Sequence, residues 1–148
     1  MSRSYALFGR LALVAACLAS TALAEEADVI ETRQRIMSTL DAQAAIVGQI
    51  ASGAAPDTDL AVHLEIIALT ASTALKSFEP KVVGGEARSK VWSDWPDFSK
   101  RMTDFARSTR ELAKIGKEKG KDAAMEKMVE AFTCKQCHDI YREEKKKK

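Results

Sequence analysis

Cysteine, histidine and β-pattern are what this sequence has least of. Its three cysteines are Cys17, Cys134 and Cys137, and its two histidines are His63 and His138. Cys17 falls in an apolar N-terminal stretch, which leaves two cysteines inside one short motif and excludes a disulfide framework. A structural zinc site is excluded on numbers, since it needs four ligands and His63 stands alone on a different segment from the other three. No segment after residue 24 shows the period-2 alternation of a half-buried strand, so a sheet, and any βαβ redox motif built on one, is excluded as well. An excess of one charge is also lacking. Lys+Arg number 23 against 21 Asp+Glu, and removing residues 1–24 takes away only Arg3 and Arg10. The remainder is neutral, which does not indicate a nucleic-acid partner.

What is present begins with a leader. Arg3 and Arg10 precede the apolar run 11–18, and Ala22-Leu23-Ala24 forms a small-residue peptidase site before Glu25-Glu26. Residues 1–24 are therefore expected to be a removable export signal, and the mature chain to be periplasmic, without stable membrane insertion. No later run is expected to approach the roughly 20 apolar residues that spanning requires. Val14-Ala15-Ala16-Cys17 offers a rival lipoprotein site, but Leu18-Ala19 is apolar where such a site usually turns polar. At the other end, four lysines at residues 145–148 read as a solvated basic tail.

Between these ends, residues 25–144 are expected to form one all-α domain. In residues 27–52, Val29, Arg33, Ile36, Met37, Leu40, Ala44 and Val47 recur at three- and four-residue steps, and Gly53 closes the helix. Leu60, Leu64, Ile67, Ala71, Leu75 and Phe78 make a second stripe that Glu79-Pro80 stops. Residues 81–95 contain Gly84-Gly85 and no sustained period, so they read as a long connection that crosses the bundle or covers a cofactor edge. A third helix starts at Ser93-Asp94-Trp95-Pro96, with Asp94 as cap and Pro96 in the first turn, and buries Phe98, Met102, Phe105, Leu112 and Ile115. The fourth is expected over residues 121–144 as one helix carrying Met125, Met128, Val129, Phe132 and Ile140. Four amphipathic helices with mostly short links imply an antiparallel four-helix bundle, whose core is a usual place for a cofactor.

The chemistry lies in Cys134-Lys135-Gln136-Cys137-His138, the pattern of covalent haem c attachment. On a helix, thiols three residues apart share a face and each can add to one haem vinyl group. The imidazole that follows is held beneath the iron as proximal axial ligand. One covalent haem and its iron are the expected cofactors.

Three stretches carry a family likeness: Thr32-Arg33-Gln34-Arg35-Ile36-Met37, Val91-Trp92-Ser93-Asp94-Trp95-Pro96-Asp97-Phe98, and Cys134-Lys135-Gln136-Cys137-His138-Asp139-Ile140-Tyr141-Arg142. In their order and distances the chain resembles the cytochrome c′ family, closest in pattern to its low-spin cytochrome c-556 subgroup. At helical spacing alone Met37 reads as an ordinary core residue. The resemblance implies instead that it faces the distal side of the haem and binds the iron as sixth ligand. It also implies that Arg33 meets a haem propionate and that Arg142 lies near the proximal imidazole. Phe132, Trp92, Trp95 and Phe98 are at core spacings and are assigned no binding role.

The expected activity is single-electron transfer with partner redox proteins, without substrate turnover by an enzyme. The alternative is a five-coordinate protein in which Met37 guards an open site that takes nitric oxide or carbon monoxide. Members of the family often pair as homodimers through their first two helices.

Overall fold

The computed structural model describes the backbone of residues 5–144 and the side chains of residues 25–144. The peptidase and lipoprotein sites within residues 1–24 have no described side chains, and the basic tail 145–148 lies outside the described residues. The elements are α1 (Tyr5–Ala51), α2 (Leu60–Ala74, continued by a 3-10 turn at Leu75–Phe78), α3 (Lys90–Ser93), α4 (Trp95–Ala131) and α5 (Cys134–Tyr141). Among the described residues there is no β-strand, and the all-α, four-helix-bundle expectation holds.

The fourth helix differs from its expectation. Helix α4 runs past residue 115 to a kink at Gly120, whose φ of 78° belongs to the left-handed region that side chains disfavour. There the chain folds back, so that Leu112 before the kink and Ala124 and Ala131 after it share one core. The helix then stops at Phe132, whose ψ of 75° is not helical, and α5 begins anew at Cys134. The haem motif thus has its own eight-residue helix. Asp94 also differs from expectation. It precedes α4 without a side-chain cap, because its carboxylate accepts from Lys90 Nζ at 2.9 Å.

Helix α1 lies along α2, α2 along α4, and α5 docks on α3 and α4. Two cores divide the bundle lengthwise. One end is aliphatic, with Val47, Ile50, Leu60, Leu64, Ile67 and Leu112, and Met125 and Met128 pack against it. The other is aromatic, with Phe78, Val91, Phe98, Met102 and Tyr141, and receives Ile36, Met37, Trp92, Trp95 and Ile140. Burying a side chain of this size from water contributes about 1.5–3 kcal/mol. Leu60–Phe78 is, at mean hydropathy 1.2 over 19 residues, apolar enough to cross a membrane by length and composition. The expectation that no run after the leader comes near that length is thereby corrected. The apolarity serves packing, since Leu60, Leu64, Ile67, Ala68, Ala71 and Ala74 all point into the bundle.

Candidate haem site

The motif is assembled where the aromatic core meets α5. Cys134 is exposed and Cys137 half-buried, and neither is in a disulfide. Standing at i and i+3, they present both sulfurs on one side of a short helix. Burial pushes both thiols above their usual range. At Cys137 the Arg101 guanidinium pulls the other way, and the charges of Cys134 and Asp97 push it further up. Half-buried His138 is held below its usual range by burial first and by the positive charge of Arg142 second. Both causes favour the neutral imidazole, the form that ligates a metal.

Helix α1 faces this motif. Asp41 is near enough for its charge to bear on both Cys134 and His138. Met37 stands one turn before Asp41, on the same side of the helix, and packs half-buried against the core that holds Tyr141 and Ile140. Among the described residues the α5 backbone packs closely on α3 and α4. The α1 face carrying Met37 and Asp41 thus looks toward the motif.

Arg33, one turn before Met37, is 4% exposed. Its guanidinium lies between the Phe78 and Trp92 rings, 5.3 Å from each centroid, and Nη2 donates to Val82 O at 2.8 Å. Desolvation lowers its pKa. Among the described residues, Nη1 is the one buried side-chain polar atom with no hydrogen-bond partner. A buried cation with an unmet N–H needs an anion, and a haem propionate fits that requirement. These residues fit the haem that the motif implies: two thiols on one helix face, a neutral imidazole beside them, a thioether on the facing helix and an unsatisfied guanidinium one turn away.

The connection 81–89 works as a strap over the site. At one end Gly84 presses on α1 so closely that a Cβ there would stand 2.7 Å from Ile30 Cδ1. At the other end Arg88 N donates to Tyr141 O at 3.0 Å, Glu143 N donates to Glu86 O at 2.8 Å, and Ala87 pairs with Arg142. Arg142 is exposed, so its link to the site is through its backbone and through its charge on His138. Trp92 does more than fill space: it stacks on Arg33 and donates from Nε1 to Phe78 O at 2.9 Å.

Sequence reasoning missed Asp41, Arg88, Asp97 and Arg101, and gave Tyr141 no role. Local spacing carries a signal for three of them: Asp41 follows Met37 by four residues, Arg101 follows Asp97 by four and Tyr141 follows His138 by three, which places each pair on one helix side.

Residues 28–142 match the model of a family described as Cytochrome C′. A cytochrome c′ of Alcaligenes xylosoxydans xylosoxydans is 25% identical over 130 residues, which span 82% of this chain and 98% of that one. The cytochrome c prime structure from Shewanella frigidimarina superposes with a TM-score of 0.74 at 25% identity, covering 80% of this chain and 97% of the other. A ferrous variant of the Alcaligenes xylosoxidans protein with bound NO superposes with a TM-score of 0.75 at 22% identity, covering 81% and 97%.

Proposed function

The chain belongs to the cytochrome c′ family and carries haem c with its iron, and from that premise we propose that it is an exported, periplasmic carrier of single electrons between redox proteins. Bound haem supplies one ferric/ferrous couple. Cys134 and Cys137 tether it, His138 ligates from α5, Met37 ligates from α1, and Arg33 Nη1 donates to a propionate. Ligation by Met37 favours the reduced iron, because a thioether is a soft donor, and closes the iron to other ligands. The aromatic core of Phe78, Phe98 and Tyr141 keeps water from this end of the bundle.

The observation that carries this reading is Met37 on the α1 face that looks toward the motif, one turn from Asp41, whose charge reaches Cys134 and His138. Carbon monoxide titration of the ferrous protein tests it. Wild type is expected to bind weakly, since Met37 must first leave the iron, and Met37→Ala to bind at least about tenfold more tightly, the cost of displacing a bond worth about 1.4 kcal/mol or more. Equal affinities would sink the assignment. The second reading, gas binding at an open iron, is favoured by the NO-bound Alcaligenes relative. Because Met37 then guards an open site, this reading also predicts tighter binding by Met37→Ala. It is told apart by the wild-type association rate, which rises linearly with carbon monoxide at an open iron and levels off at the departure rate of a ligated Met37.

A further inference from the structure

Helix α5 is only eight residues long and joins α4 through the two non-helical residues Phe132 and Thr133. Its side chains Cys134, Lys135, Gln136 and Asp139 are exposed, so beyond the strap's backbone bonds at Tyr141 O and Glu143 N and the two haem tethers, its roll depends on few side-chain contacts. The one deeply buried side chain it offers is Tyr141, 4% exposed, with its ring edge-on to Phe98 at 5.1 Å. The Tyr141 hydroxyl donates to Asp97 Oδ2 at 2.5 Å, and Arg101 Nε donates to the same oxygen at 2.5 Å. Burial first, and this hydrogen bond second, raise the phenol far above its usual range, so Tyr141 remains a donor at any physiological pH. Held by two donors, Asp97 lies below the usual carboxylate range and remains the acceptor.

Tyr141 and His138 are three residues apart and so lie on one side of α5. Any roll of the helix that moves the hydroxyl off Asp97 also turns the imidazole. We infer that Asp97 and Tyr141 are positioning residues for the proximal iron ligand: Arg101 aims the carboxylate, the carboxylate holds the phenol, and the phenol sets the roll of α5 and hence the direction of the His138 ring. The inference rests on the reading of His138 as an iron ligand. Groups around a ligand that orient it tune the metal, and a looser imidazole donates less to ferric iron and so favours the reduced state.

The test uses the holoprotein with Tyr141→Phe, Asp97→Asn and, as control, Lys135→Ala on the solvent side of α5. Two quantities are read: the ratio of reduced to oxidised protein at a fixed solution potential, and the spread of the hyperfine-shifted haem methyl resonances, which reports ring orientation. Tyr141→Phe is expected to change the methyl pattern and raise the reduced-to-oxidised ratio roughly threefold, the scale of part of one hydrogen bond. Asp97→Asn keeps an oxygen that accepts from Tyr141 and should shift the ratio less, while the control should shift neither quantity. Tyr141→Phe that lowers only thermal stability would overturn the inference. So would Asp97→Asn moving the ratio as far as Tyr141→Phe with an unchanged methyl pattern, since charge alone would then be acting. A wild type without a hyperfine-shifted imidazole would overturn the His138 reading and this inference with it.

Discussion

Replacing both Cys134 and Cys137 by alanine frees the haem: acid–acetone extraction removes all the colour from the double variant and none from wild type. The effect is large because two thioethers convert a dissociable cofactor into part of the chain. Without them retention depends on axial ligation and packing alone, and the stabilisation that binding gives the fold varies with the free haem concentration. A cofactor present at a thousand times its dissociation constant stabilises by about 4 kcal/mol, and that contribution falls away as haem is diluted. For a domain of this size a loss on that scale lowers Tm by on the order of 10 °C. A single Cys134→Ala or Cys137→Ala variant should keep its colour through the remaining sulfur. Calorimetry before and after extraction measures the difference.

Arg33→Ala is expected to cost the folded protein about 2–4 kcal/mol. That range combines one charge-assisted hydrogen bond to Val82 O with two cation–π contacts in a desolvated setting. Arg33→Lys should recover only a small part, because an ammonium is not the flat plate that lies between the Phe78 and Trp92 rings. The loss should be greater in the haem-loaded protein than in the haem-free one, since Nη1 is without a partner in the bundle and gains one from a propionate. Denaturant unfolding of both forms gives the two numbers. Equal losses would show that Arg33 serves the strap alone.

The haem motif was legible because its chemistry is local: five consecutive residues state the thiols, their spacing and the ligand. Helix α2 and the start of α4 were legible for a similar reason, with long apolar stripes bounded by Pro80 and Pro96. The break at Phe132 was not. Neither Phe132 nor Thr133 punctuates a helix, and Met125, Met128 and Ile140 continue a helical period across it, so one helix was the natural reading over what the structure divides at residues 132–133. Asp94 looked like a cap because its residue type and place suit one, but Lys90 one turn earlier takes its carboxylate. Periodicity sets Arg33 on the apolar face of α1, but what it meets there could be read only through family likeness. The bond from Tyr141 to Asp97 crosses 44 residues, and no local pattern announces a contact made by helix docking.

The most direct test of the whole assignment is the electron paramagnetic resonance spectrum of the ferric wild-type protein at neutral pH, taken beside its visible spectrum. Ligation by His138 and Met37 together predicts a low-spin signal, with the absorption of a six-coordinate haem. A high-spin signal in the unmodified protein would contradict it and would leave the iron open to nitric oxide and carbon monoxide.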